Sequence, residues 1–600
     1  MRRRCNWRWA LSARRSVISV ALLALMAAMA ASLAEAQTVR VWGKNSQQPK
    51  NGKRFRIQIG ARLGPGTDLA QVLKTIEEFD ADEVTVGGAE YVAYEDFPKV
   101  SRKIDAAALA EFRKQLQVLK SKGLILRGSA GGRDPIVPGD PVSLGRPGGR
   151  AIRGREVEET PYFFDVYPEA RNLSNGVFWK FIESKTAEYF RKLPEVDSVR
   201  SYFWETQLLN DTNYFRDFYW ADTSKTLHTL NLGLQQYYSD VDYLVELLSA
   251  LGRGAQRYGK EYQWFAFCHY PHQEQLHIRA LRQLDRNLPI SLYHFISTGD
   301  WHAWRPTNNI ALEVTDRETT LAFTSTEYWG AGEIPYCHPE DIQQRLHQVM
   351  KRNPNITTIV VGSYSRAAGP SEINTYALRQ LARDPYTPIE TIWQTWAERK
   401  YGKAAAPTII KALQRTFQIG KLLFYFKGTL TSEHSQTADL DYLEGEATHT
   451  ARANIEWMPW DHENNFYLEE FLYRPREHTV QVAMAEKQEA LRLIDLCLGD
   501  VESVRSVLPP AEYRILKDQF TLQRHWAEQS MPHLEAFLRV KIQKTTPSAE
   551  NLAKLKLAVA ALEKKTDEVE KLYGNKYETL NADRLRNYIK QVRDAIAGFR

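Results

Sequence analysis

Three carboxylates in this sequence sit in matching surroundings. Glu205 ends SVRSYFWE, Asp300 follows LPISLYHFISTG, and Glu327 follows TTLAFTST. Each comes after a short run of apolar, β-branched and aromatic residues, and each has a ring beside it: Trp204, Trp301 and Tyr328. Buried parallel strands read as such runs, and reactive groups sit where those strands end. Cleaving a glycosidic bond needs this set. One acid protonates the leaving oxygen, a carboxylate activates water or attacks the sugar, and flat rings meet the sugar's apolar face. A single acid in such a place is more often a helix cap or a salt-bridge partner. Three in register favour a site.

Positioning three strand ends together requires strands that alternate with helices, and residues 55–388 supply them. The runs FRIQIG (55–60), DEVTVGG (82–88), LILRG (124–128), VRSYFW (199–204), YQWFAFCHY (262–270), PISLYHFI (289–296), TTLAFTS (319–325) and ITTIVVGS (356–363) are separated by segments of helical periodicity. Eight such units predict an α/β fold, a (β/α)8 TIM barrel. A doubly wound open sheet is the alternative, and no Gly-rich phosphate fingerprint supports it. Residues 128–160, rich in Gly, Pro and Arg, read as a long loop. From 389 to 600 strand signals stop and helical periodicity dominates, which predicts an all-helical C-terminal domain. The stretch AENLAKLKLAVAALEKKTDEVEKLYG suggests a coiled-coil hairpin. The aromatic segment 454–475 reads either as a plug between helices or as a substrate-facing loop.

Residues 1–36 read as an export signal. Six arginines precede SVISVALLALMAAMAASLA, and Ala34–Glu35–Ala36 forms a small-x-small cleavage site before Gln37. Residues 37–54 are a polar lead-in. A periplasmic or secreted protein without stable membrane insertion is expected. Taking the signal's six Arg and one Glu from the 79 basic and 73 acidic residues leaves a net charge of only +1, so nothing suggests nucleic acid as a partner. The mature cysteines, Cys268, Cys337 and Cys497, are too widely spaced for a disulfide framework or a zinc pattern. His269, His272 and His277 have no metal-ligand spacing either. No metal and no cofactor is expected. The partner is a carbohydrate substrate, and the helical domain is where a homodimer would form.

The order of motifs over roughly 160–402 resembles the family-67 glycoside hydrolases, the α-glucuronidases. FWKFIESKTAEYFRKLPEVDSVRSYFWETQ is similar to the segment ending in that family's general acid, and WFAFCHY to its next strand. TGDW and STEYWGAGEIPY are similar to the two strand ends that hold its base carboxylates. EINTYALRQLARDP with IWQTWAERKYG is similar to its closing segment. The resemblance implies Glu205 as general acid, Asp300 with Glu327 as the pair that activates water, and inversion at the anomeric centre. It also exposes departures. Where the family places basic residues to read the uronic carboxylate, this chain has Ser201, Phe265 and the Phe295 region. A buried carboxylate without a cation is costly, so altered sugar recognition is expected, with weak or no action on glucuronoxylan. Arg62, Arg127 and Arg305 lie near other strand ends and are candidate replacements. Trp204, Gln207, His269, Tyr270, Trp301, Trp304 and Tyr328 complete the expected sugar contacts. The family's amino-terminal sandwich domain has no counterpart. A non-catalytic glycan-binding barrel is the alternative function.

Overall fold

Eight strands hydrogen-bond side by side in chain order, every pair parallel, and the last closes on the first. They are β1 (Arg56–Gly60), β2 (Glu83–Val86), β3 (Ile125–Ser129), β4 (Ser198–Phe203), β5 (Glu261–Ala266), β6 (Ile290–Ile296), β7 (Thr319–Thr324) and β8 (Ile356–Ser363). The computed structural model describes residues 49–88, 91–92, 94–101, 104–129, 166–171, 175–203, 240–266, 268, 270–296, 306–307, 309–324, 333–363, 369–432 and 436–599. Residues 1–36, read from the sequence as an export signal, and much of the 128–160 stretch lie outside them.

Period-two alternation gives each strand an outer and an inner face. Outward residues such as Ile57, Val84, Leu126, Val199, Trp264, Leu292 and Ile359 join one large apolar core with the surrounding helices. Phe265, Tyr293, Phe295, Ala322 and Val360 form a separate apolar cluster, which is the barrel interior. The outer helices are α1 (Leu69–Phe79), α2 (Ala106–Ser121), α3 (Val177–Lys192), α4 (Asp240–Gln256), α5 (Pro271–Gln283), the short α6 (Asn309–Glu313), α7 (Pro339–Arg352) and α8 (Glu372–Arg383). Local chemistry sets their starts. Asp68 and Asp105 accept backbone N–H groups in the first turns of α1 and α2, and Pro271 and Pro339 open α5 and α7.

The floor of the barrel is ionic. Arg127 Nε is 2.7 Å from Glu83, its Nη1 is 2.8 Å from Glu261, and its Nη2 is 3.2 Å from Glu318. Arg56 Nε lies 2.6 Å from Glu83, and the same guanidinium bonds Glu318. Arg56, Glu83 and Glu261 are the first residues of their strands and Glu318 immediately precedes β7, so this network closes the N-terminal end. Thr358 and Ser291 hydroxyls donate to Glu83 and Glu261 at 3.0 and 2.5 Å. Burial by itself would raise the Glu83 carboxyl; Arg127 and Arg56 override it and hold the group at about 2. Burial raises the Glu261 carboxyl, against the pull of Arg127 and with help from the charge on Glu318.

Beyond the barrel come α9 (Ile389–Tyr401), α10 (Ala406–Gln414), α11 (Thr416–Phe424), α12 (Thr448–Trp457), α13 (His462–Tyr473), α14 (Glu477–Ser503), α15 (Pro510–Thr545), α16 (Ala549–Leu572) and α17 (Ala582–Gly598). The expectation that strands end near 389 needs one correction. Tyr425–Phe426 (β9) and Thr429–Leu430 (β10) form a small antiparallel hairpin. Its two turn residues, Lys427 and Gly428, have φ of 49° and 89°, the left-handed pair that a two-residue hairpin turn requires. The AENLAKLKLAVAALEKKTDEVEKL stretch is one helix, α16, packed between α15 and α17, instead of a hairpin. Cys268, Cys337 and Cys497 are buried and unbridged. No helix among the described residues is long and apolar enough to cross a membrane.

Candidate active site

Because all eight strands are parallel, their C-terminal ends share one face of the barrel. β4 ends at Phe203, two residues before Glu205. β6 ends at Ile296, four before Asp300, and β7 ends at Thr324, three before Glu327. The three acids themselves lie outside the described residues, as do Trp204, Gln207, His269, Trp301, Trp304, Arg305 and Tyr328. The strands that lead into them are described, and β6 and β7 are neighbours, with β5 between β4 and β6.

Beneath this face the interior holds a cation that sequence reasoning passed over. Arg200 of β4 places its guanidinium carbon 3.7 Å from the centroid of the Tyr293 ring. Tyr293 in turn meets the Phe265 ring edge-on, with centroids 4.8 Å apart. Arg200 Nη1 is enclosed and has no hydrogen-bond partner among the described residues. Burial raises the Tyr293 phenol, and Arg200 opposes that rise through its charge and a hydrogen bond. The signal was present in the strand's alternation. Val199 joins the outer core, so its neighbour Arg200 must take the inner face. Alignment with the resembled family pointed instead to Ser201, one position on.

The three described candidates have different fates. Arg62 is exposed, two residues past the end of β1 and therefore on the acids' side of the barrel. Tyr270 opens α5, just past β5, and its hydroxyl is 2.9 Å from His449 Nδ1. Arg127 must be corrected. It was expected to face substrate, but its guanidinium is held by three carboxylates and by Ser198 at 3.0 Å in the floor network, at the opposite end. Two buried carboxylates and a partly buried third need compensating charge more than a sugar would, and Arg127 is the group within reach of all of them. Buried His277 and His294 are pushed down to about 3 by desolvation, so both are neutral imidazoles near pH 7.

The helical region reaches this same face. His449 of α12 meets Tyr270, and Glu456 of the same helix lies 3.6 Å from His272 at the start of α5. Glu333, in the connection that follows β7, accepts the Thr579 backbone N–H at 2.9 Å and the Thr579 hydroxyl at 2.7 Å. Tyr336 packs on Phe417 and Phe424. The connection carrying Glu327 is thus anchored, at its downstream end, by residues of the helical region more than eighty positions further along the chain. No local sequence signal announces such contacts.

No known family profile matches the sequence, and no curated protein does either. Solved structures do match. A GH138 enzyme targeting pectin rhamnogalacturonan II aligns over 91% of this chain and 83% of its own, with 12% identity and a TM-score of 0.53. The fold is shared with glycoside hydrolases. An O-GlcNAc hydrolase from Thermobaculum terrenum aligns over 91% of this chain and 96% of its own, at 12% identity and a TM-score of 0.37. BtGH115A, a GH115 4-O-methyl-α-glucuronidase with specificity for decorated arabinogalactans, aligns over 90% and 61%, at 11% identity and a TM-score of 0.38. At these identities the likeness is one of fold. The family-67 likeness remains one of motif order.

Proposed function

We propose that this chain is an exported glycoside hydrolase that acts on a polysaccharide or oligosaccharide by inversion. The observation that carries the reading is the convergence of β4, β6 and β7 on one barrel face, each followed within four residues by an acid beside a ring. Glu205 is the general acid; Asp300, with Glu327, activates water. Two strand spacings of about 4.8 Å separate β4 from β6, roughly 9–10 Å at the strand ends. Inverting enzymes hold their two carboxyl groups roughly 6.5–9.5 Å apart, leaving room for the water.

Arg200 supplies a cation where the resembled family's positions offered none. With a guanidinium nitrogen lacking a partner, it suits a sugar bearing a carboxylate. Exposed Arg62, just past β1, would assist from the rim. The test is a panel of glycans, each uronic-acid oligosaccharide paired with its neutral counterpart. The wild type should release sugar from at least one uronic member. Arg200→Met should lower kcat/KM on it by about 10–100-fold, mostly through KM, the range expected for a lost charge-assisted bond. The neutral counterpart should change little. Equal losses on both would mean that Arg200 does not read charge. No release from any glycan would end the hydrolase reading.

A further inference from the structure

The aromatic segment 454–475 divides between two roles. Trp457, Leu468 and Phe471 are turned inward. Trp460, Phe466 and Tyr473 are turned out, 67%, 49% and 63% exposed. Five rings are exposed among the described residues, and three of them fall within this one stretch. Phe466 and Tyr473 are seven residues apart on α13, two turns, so they project from one side with a rise of about 10 Å between them, comparable to the length of a disaccharide. Exposed Glu469 lies between them on that side. Ring, carboxylate, ring is the pattern that suits a sugar chain: rings stack on C–H faces, and the carboxylate accepts hydroxyls.

Position ties this stripe to the barrel. His449 and Glu456, both on α12, contact Tyr270 and His272 at the start of α5, on the face where the acids emerge. Trp460 follows Glu456 by four residues. Asp461 accepts the Asn464 backbone N–H at 3.3 Å, and Asn465 donates to the Met458 carbonyl at 2.9 Å, which fixes α13 against the end of α12. Charge narrows the occupant. Residues 454–476 carry five acids and two arginines, so a polyanion would be repelled.

We propose that Trp460, Phe466 and Tyr473 form a stacking platform for neutral sugar residues of the polymer that extends away from the barrel. This rests on the glycan-hydrolase reading above. The test is affinity electrophoresis of the full chain in gels containing galactomannan, xyloglucan or arabinoxylan, with polygalacturonate as the anionic control. The wild type should be retarded by at least one neutral polymer more than by polygalacturonate. The triple variant Trp460→Ala/Phe466→Ala/Tyr473→Ala, confirmed folded by circular dichroism, should lose about tenfold or more in apparent affinity. Sedimentation should give the same mass for both. Unchanged retardation of the variant, or no retardation of the wild type by any neutral polymer, would overturn the platform. A wild-type dimer that the triple variant dissociates would overturn it in favour of a second copy as occupant. Retardation that depends on the three rings, in a protein that cleaves no glycan, would support the platform while the hydrolase reading fell.

Discussion

Glu205→Gln should abolish turnover of glycosides with poor leaving groups and spare those with activated aryl leaving groups. The variant keeps the shape of the side chain and removes the proton that the proposed general acid would donate. General acid catalysis contributes roughly 10²–10⁴-fold, and the loss on a natural glycan should fall in that range. An aryl leaving group of low pKa departs with little protonation, so its rate should drop far less. The wild type should also lose activity at high pH on natural glycans, as the acid deprotonates, and the variant should lack that limb. Steady-state kinetics on a series of aryl glycosides and on the natural substrate measures the difference. Equal slowing of both classes would remove Glu205 from the role of proton donor.

Arg127→Met should cost the fold about 3–5 kcal/mol, the usual penalty for leaving buried charges without their partner. Glu83 and Glu318 would then share Arg56, and Glu261 would lose the arginine that pairs with it. The loss should depend on pH. Glu83 titrates at about 2 in the folded chain, below its ordinary 4.5. Its charged form therefore stabilises the fold in full above pH 4.5, and that contribution disappears as pH falls toward 2. Glu261 moves the other way: its raised pKa means that the folded state holds the proton more tightly, which weakens the fold as pH rises past the ordinary carboxylate range. Removing Arg127 takes away the compensation of both. Urea unfolding of wild type and variant from pH 3 to 7 should show the widest gap near neutrality and a narrower one at pH 3. Equal stability throughout would contradict the floor assignment. Equal stability with lost activity on acidic sugars would return Arg127 to the substrate.

The barrel was legible because its strands are buried on both faces, which compresses each into a short apolar run between helical periods. The run at 289–296 became β6 at Ile290–Ile296, and the run at 356–363 became β8 over the same residues. What the runs do not carry is direction along the barrel axis. Arg127 sits in the middle of β3, level with Ser198 at the start of β4, and its long side chain reaches carboxylates 44, 134 and 191 residues away in sequence. Spacing alone gave no sign of that network. Arg200 was hidden differently. The alternation of VRSYFW already placed it opposite Val199, but comparison by motif looked one residue further on. The hairpin at Lys427–Gly428 was masked by the helical periods on both sides, although an aromatic pair before Lys-Gly and Thr-Leu after it is itself a turn signal.

The most direct test of the central claim, that acids at the ends of β4, β6 and β7 form one catalytic centre, is the rate at which Asp300→Asn cleaves a glycan that the wild type hydrolyses. Water must be activated whatever group leaves, so natural and aryl substrates should both slow, by about 10²–10⁴-fold. Full activity of Asp300→Asn on the natural glycan would place the chemistry elsewhere.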